Sequence, residues 1–349
     1  MRTLSRSKLV GINGALLLCL LVTAVAATLT GPAPLSLKES WSALATEHPY
    51  HQVLLRVRLP RVLLAIIVGA GLATSGLVLQ ALLRNPLACA HILGVSGGAS
   101  LGGIAGLMFF PALFATRLKL GAAEISPVPL AAFAGALLSM VLIQRFALVH
   151  GRLHPYHLLL SGVIFNTFVS ALIMFLNSVL DFYQAQSLLF WLMGSLSTTS
   201  YFSVALTWLY VLLGFVWKYR HGVSLNLLSL GEESALQLGV EVNRVRRHLF
   251  IACSLVVGAI VAVSGMIGFV GLMVPHVLRL LLGNDHRLLL PASFLAGGIF
   301  LGWADTLARV VLAPVELPVG VVTAFFGAPF FFFLLYHEGR KRVLYEPGR

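Results

Sequence analysis

The chain has 349 residues, 58% hydrophobic and only 10% charged, with a mean hydropathy of +0.93. A water-soluble domain carries roughly 25% charged residues, so this balance excludes a soluble globular protein and reads as a polytopic membrane protein with room for about ten helices. The net charge of +12 lies at the ends of apolar runs, not in a basic stretch interleaved with aromatics, which makes it a topology signal and excludes nucleic-acid binding.

The first apolar run, 9–29, follows Arg2, Arg6 and Lys8. Its "AVAA" at 24–27 resembles a signal cleavage site. The run is as long as a full span, whereas the apolar part of a signal peptide covers about 7–15 residues, so a retained first span is expected. The stretch 36–50 is too polar to cross a bilayer. Runs at 62–83, 92–114, 128–148 and 158–180 supply spans two to five. The segment 183–199 is short and amphipathic and reads as a re-entrant or surface helix. Span six is expected at 202–217. A polar insert follows, "SLGEESALQLGV" at 229–240, and then runs at 249–264, 266–282, 288–312 and 319–336 complete ten spans.

Ten spans put both ends on one side. With the termini inside, seven positive residues fall outside (Lys38, Arg56, Arg58, Arg61, Arg117, Lys119 and Arg309), against the other 17 of the 24 within. That bias places both termini and the 229–240 insert in the cytoplasm. "VGAGLATSG" at 68–76 reappears as "VGAIVAVSG" at 257–265, and the same offset carries Pro86 onto Pro275. Two matched halves, roughly 1–180 and 181–349, with five spans each must insert in opposite senses, an arrangement common in transporters. Gly98, Gly102 and Gly106 share one helix face, as do Gly298 and Gly302, and small residues at this spacing let helices approach closely.

Several motifs are better explained by packing. "GVSGG" at 94–98 fits the serine-nucleophile pattern, with His276 in a later span as a candidate base, but no second polar constellation gathers around Ser96. His91, His154, His157, His248, His276 and His286 lie near span ends without metal-ligand spacing. Cys19, Cys89 and Cys253 read as small apolar packing residues. Asp305 and Arg309, four apart, are placed to pair within the ninth span. The chain has no G-x-x-x-x-G-K-[ST] loop, since no Lys follows a Gly, so it cannot cradle nucleotide phosphates by that route. Energy for transport would come from another subunit. The insert is on the correct side to meet one: Gly231 and Gly239 bracket a short helix with Glu232 and Glu233 in its first turn, where acids suit the helix dipole.

The segments "RLPR" (58–61), "SGLVLQALLRNPLA" (75–88), "LGVSGGAS" (93–100), "LLLSGV" (158–163), "SLGEESALQLGV" (229–240), "GFVGLMVPHVLRLLLGNDHR" (268–287), "ADTLAR" (304–309) and "ELPVGVVTAFFGAPFFFFLL" (316–335) together resemble the permease subunit of bacterial ABC importers for iron chelates, haem and vitamin B12. The resemblance covers nearly the whole chain. It implies an all-α, ten-helix polytopic membrane protein of the type II ABC importer permease fold in the inner membrane. It implies a second permease chain, as a homodimer or close heterodimer, two cytoplasmic ATP-binding subunits that carry the ATP and Mg, and a periplasmic substrate-binding protein. The permease itself would have no catalytic residue, cofactor or metal. Residues 229–240 would be the coupling helix seated on the ATPase, with Gly231, Glu232, Glu233, Leu236, Gln237, Leu238 and Gly239 as its contacts. Arg58, Arg61 and Arg309 would meet acidic residues of the binding protein, where bidentate Arg–carboxylate pairs hold orientation. The fifth helix would line the pathway with Ser161, Asn166, Thr167, Ser170 and Asn177. Asn85 and Leu87, with His154, Pro155 and Tyr156, would form the inner gate; 154–156 departs from the small hydroxyl residues of the vitamin B12 branch.

Two other classes make distinct expectations. A secondary transporter would import without ATPase partners and follow an ion gradient. An intramembrane serine protease would lose activity on Ser96→Ala.

Overall fold

The structure is a computed structural model and describes residues 6–32, 39, 50–109, 118–120, 123–125, 127–197 and 200–345. The stretch 36–50, along with Arg2, Lys38 and Arg117, lies mainly or wholly outside the described residues.

Helix α1 spans Arg6–Leu29. Helix α2 runs continuously over His51–Leu83, with a π-helical segment at Leu54–Arg58 and Pro60 just inside the regular helix that follows. Next come α3 (Val95–Phe109), α4 (Val128–Ala147), α5 (Pro155–Val179) and the short α6 (Phe182–Leu192). Helix α7 (Tyr201–Arg220) starts at Ser200, whose Oγ accepts from the Ser203 N–H at 3.2 Å. Helices α8 (Gly222–Leu230) and α9 (Glu232–Gln237) are short. Then follow α10 (Val242–Ser264), α11 (Val270–Leu282), α12 (His286–Val310) and α13 (Val319–Tyr345). Two small antiparallel hairpins interrupt the helices: β1 (Leu118–Leu120) with β2 (Ala123–Ile125), and β3 (Leu148–Val149) with β4 (Arg152–Leu153). The second turns through His150 at φ 49° and Gly151 at φ 77°, the left-handed pair that a tight hairpin turn requires.

All ten expected spans are present as helices, and α6 occupies the place of the expected surface segment. Among the described residues, seven helices are long and apolar enough to cross a membrane. The third and eighth depart from expectation. Helix α3 starts three residues later than the 92–114 run, and α11 is only 13 residues long, about 20 Å at 1.5 Å per residue. Phe269 at φ 65° and Gly265 at φ 65° break the chain ahead of α11.

Helix α2 is the axis of the bundle: 94% of its most apolar window is buried, against 17% for α5. It packs on α12 and α11, while α10 packs on α4 and α3. Counted by span, the second lies on the ninth and eighth, and the seventh lies on the fourth and third, which is the same pairing with the halves exchanged. The sequence echo fits this pattern. Gly69 of α2 abuts the Gly297 backbone of α12, and Gly258 of α10, its partner in the echo, abuts Ala136 of α4.

A side chain at Gly69 or Gly297 would meet backbone carbonyl on the facing helix. Gly297→Val is therefore expected to destabilise by about 1–3 kcal/mol through overpacking. Gly11→Ala in α1, where a Cβ meets nothing within 4 Å, should leave the melting temperature unchanged. Thermal unfolding of the two variants in detergent checks the contrast.

Candidate functional site

Helix α9 is fixed by its two glycines. Gly231 sits at φ 133°, a conformation that side-chain-bearing residues rarely adopt. At the other end the Val240 N–H donates to the Ala235 carbonyl at 2.9 Å and the Gly239 N–H donates to the Leu236 carbonyl at 3.0 Å, with Gly239 at φ 81°. This is a Schellman stop, with glycine at the left-handed position. Ala235 is buried and pins the helix to the bundle, while Glu233, Leu236, Gln237 and Leu238 are exposed. Two leucines at 53% and 61% exposure on an otherwise polar turn form an apolar ridge of the kind that marks a contact surface.

Glu232 faces the bundle. Arg246 of α10, 3% exposed, donates from Nη2 to its carboxylate at 3.1 Å and from Nη1 to the Leu153 carbonyl at 2.6 Å. Leu153 ends the β3–β4 hairpin, and its neighbour His154 caps the start of α5. One buried guanidinium thus ties α9 to the segment that begins α5. This also explains why α10 starts seven residues ahead of the expected span. The polar run "NRVRRH" is helical because Val242, Val245 and Arg246 are buried.

At the expected gate, Arg84 closes α2 in the left-handed region, and Asn85 Oδ1 accepts from the Leu87 N–H at 2.9 Å, an Asx turn. Leu87 is 45% and Tyr156 65% exposed. Pro155 opens α5, and the His154 and Tyr156 rings both lie edge-on to His157, with centroids 5.4 and 5.9 Å away.

Along α5 the expected lining residues do not form one exposed wall. Thr167 and Ser170 are exposed, whereas Ser161, Asn166 and Asn177 are half-buried. Asn166 faces Gly97 of α3. Asn166, Ser170 and Asn177 share a flank of the helix, and the most exposed face carries Ile164, Phe168, Met174 and Phe175. The polarity pattern alone could not distinguish the flank from the exposed face.

At the other end of the bundle Arg58, Arg61 and Arg309 gather as expected, but all three are buried, at 4%, 7% and 2% exposure. Asp305, fully buried, accepts from Arg61 Nε at 2.9 and 3.2 Å and from Arg309 Nε at 3.0 Å. The expected Asp305–Arg309 pair is therefore present, and Arg61 is a second partner that sequence spacing could not reveal. Arg61 Nη1 also meets Glu316 at 2.6 Å. Arg309 donates to the Thr30 and Ala27 carbonyls, both at 3.0 Å, and Arg58 to the Leu29 carbonyl at 3.0 Å. Most of the donors of these three guanidiniums are therefore used inside the chain. Arg58 is the exception: its Nη2 has no hydrogen-bond partner. Among the described residues of this cluster, three arginines face two carboxylates, Asp305 and Glu316, which leaves one positive charge in excess.

Other polar groups gave no sequence signal. Lys218 of α7 is fully buried, and its Nζ donates to Thr74 Oγ1 at 2.8 Å and Ser75 Oγ at 3.1 Å. Gln80 of α2 donates to the Gly271 carbonyl at 3.2 Å and accepts from Arg279 at 3.1 Å, linking α2 to α11. Asp285 caps α12 and accepts from Asn226 at 2.8 Å and from the Arg287 side chain at 2.8 Å. Partial burial pushes the Asp285 carboxyl up, but hydrogen bonds from Arg287 and Asn226 overcome this and hold it at about 2. Its pKa lies below the unfolded value, so its stabilising effect is present above about pH 4 and disappears as pH falls toward 2. Asp285→Ala is expected to cost about 1 kcal/mol as a lost helix cap, read as a lower melting temperature at pH 7. Ser96 is buried in α3, and the His276 ring of α11 lies edge-on to Phe330 and Phe331, with centroids 6.1 Å away.

Residues 17–337 match the FecCD transport family. The chain is 37% identical over 331 residues to the hemin transport system permease protein of Yersinia pestis, covering 94% of this chain and 96% of that one. It is 41% identical over 307 residues to the vitamin B12 import system permease protein of Vibrio cholerae, covering 88% of each. Its structure is similar to that of a metal-chelate type ABC transporter in an inward-facing conformation, with a TM-score of 0.80 and 33% identity over 94% of this chain and 99% of that one. The chain belongs to the FecCD transport family.

Proposed function

We propose that this permease is the membrane-spanning subunit of an ATP-driven importer for a metal chelate. It would work in the bacterial inner membrane with both termini in the cytoplasm, and with its halves, 1–180 and 181–349, inserted in opposite senses. A second copy, two ATP-binding subunits holding ATP and Mg, and a periplasmic binding protein complete the machine. The observation that carries this reading is the linkage from the exposed ridge of α9 through Arg246 to the start of α5. A helix with this shape gives an ATPase a handle, and the buried guanidinium gives the motion a route to the gate residues Asn85, Leu87, His154, Pro155 and Tyr156. Relatives named for hemin and for vitamin B12 support a large metal-centred cargo.

The test is uptake of radiolabelled iron chelates, haem and cobalamin in cells with and without the gene. Loss of one of these signals on deletion supports the reading and names the cargo. Unchanged uptake of all of them contradicts it.

The excess positive charge at the Arg58 end suits an acidic binding protein, since charge complementarity steers docking and fixes register. Arg58→Gln is expected to weaken binding-protein affinity at low salt by about tenfold. It should leave folding intact, because Asp305 keeps both of its partners. Surface plasmon resonance on reconstituted transporter measures this, and an unchanged affinity removes Arg58 from the docking surface.

A further inference from the structure

The end of α4, the β3–β4 hairpin and the second turn of α10 enclose a cavity of about 210 Å³ lined by Val141, Gln144, Arg145, Leu148, Leu153 and Arg247. Arg145 and Arg247 are both exposed. Among the described residues neither has a carboxylate partner. The acids of this region are engaged elsewhere, Glu232 with Arg246 and Glu241 with Arg244. Gln144 Nε2 is buried and has no hydrogen-bond partner, and an unsatisfied buried donor is costly. The cavity therefore presents two cations and an amide donor with no acceptor, which suits an anionic group rich in oxygen.

A free phosphate ion and a lipid headgroup share that chemistry, and the rest of the site separates them. Leu138, Val141 and Arg145 recur at spacings of three and four, which places them on one face of α4, and Leu148 follows at the start of β3. Leu138 is 62%, Val141 46% and Leu148 36% exposed, and neighbouring Phe146 is 71% exposed. An apolar track thus runs along a spanning helix and ends at an arginine. A phosphate ion has no use for the track, whereas an acyl chain would cover it. Basic pockets between spanning helices are where anionic headgroups are held.

The geometry points to a site for an anionic phospholipid: its phosphate lies between Arg145 and Arg247, an ester or headgroup oxygen accepts from Gln144, and an acyl chain follows Val141 and Leu138. The hairpin that walls the cavity also supplies the Leu153 carbonyl bound by Arg246, so an occupied site steadies the link between α9 and α5. The inference needs only that α4 crosses a bilayer. It stands or falls independently of cargo and energy source.

The test uses the full-length chain in a non-ionic detergent and native mass spectrometry, with dioleoyl phosphatidylglycerol, dioleoyl phosphatidylcholine and glycerol 1-phosphate as separate probes. Retention of phosphatidylglycerol over phosphatidylcholine is expected. Affinity should fall by about tenfold or more in Arg145→Gln/Arg247→Gln and by a smaller factor in Gln144→Leu. Arg220→Gln, which removes an exposed charge at the end of α7, should leave binding unchanged, and matching gel-filtration profiles show that the variants are folded. Equal retention of both lipids overturns the proposal, as does undiminished phosphatidylglycerol binding in the double variant. Binding of glycerol 1-phosphate as tight as that of the lipid overturns the lipid assignment. So does a cavity that is protected only when a second copy or the ATPase is bound.

Discussion

Asp305→Ala is expected to remove most folded protein from the membrane. Asp305 is fully buried and accepts from two guanidiniums that are themselves nearly buried, Arg61 and Arg309. Removing one member of a buried ionic group leaves the others uncompensated, at a cost of about 3–5 kcal/mol. Glu316, 42% exposed, still faces Arg61, but Arg309 keeps only neutral acceptors, the Thr30 and Ala27 carbonyls and the Thr306 hydroxyl. The effect should exceed that of any surface charge change in the chain. Fluorescence-detected gel filtration of tagged protein measures it, with Asp305→Asn intermediate because it keeps an acceptor but no charge. Replacing Asp305, Arg61 and Arg309 together by apolar residues of similar volume should restore part of the loss, since an apolar substitute for a whole buried ionic group is often tolerated. Wild-type accumulation of Asp305→Ala would show that the cluster is not structural.

Arg246→Met is expected to separate ATP hydrolysis from uptake. The methionine keeps the buried volume but deletes both bonds, to Glu232 and to the Leu153 carbonyl. Hydrogen bonds to charged groups contribute about 1.5–3 kcal/mol each, so the linkage of α9 to the α5 segment should weaken enough to cut uptake by about tenfold or more. ATP turnover should persist, because the exposed ridge of Leu236 and Leu238 remains in place. Arg246→Lys can reach one partner at a time and should be intermediate. The Glu232→Gln/Glu233→Gln double variant tests the same link from the helix side and should also lower the ratio of uptake to hydrolysis. Equal loss of hydrolysis and uptake in Arg246→Met would mean that the residue only holds the fold.

Much of the architecture is legible in the sequence because the bilayer enforces it. Apolar runs of fixed length between charged ends locate the ten helices, and the glycine echo at 68–76 and 257–265 locates two equivalent packing contacts. The Gly231 and Gly239 brackets predict α9 because both positions need a backbone that only glycine adopts easily. What the sequence hides is where a charge is answered by a distant element. Lys218 looks like an end-of-span cation, yet it is buried on Thr74 and Ser75, 144 and 143 residues away. Arg246 looks like one of three solvated arginines, yet it is the buried one. Arg61 and Glu316 meet across 255 residues, and no local spacing announces such a pair. The early start of α10 is hidden for the same reason: its first residues are polar in composition, but Val242, Val245 and Arg246 are buried in place. The polar residues of α5 are legible in composition but not in direction: Asn166 faces Gly97 of α3, whereas Thr167 and Ser170 are exposed.

The most direct measurement is uptake into proteoliposomes that contain this permease with its ATP-binding subunits, supplied with binding protein and labelled metal chelate outside and ATP inside. The account predicts accumulation that requires ATP, stops with vanadate and does not respond to collapse of the proton or sodium gradient. Accumulation that is insensitive to vanadate and follows an ion gradient would contradict it and make the chain a secondary transporter.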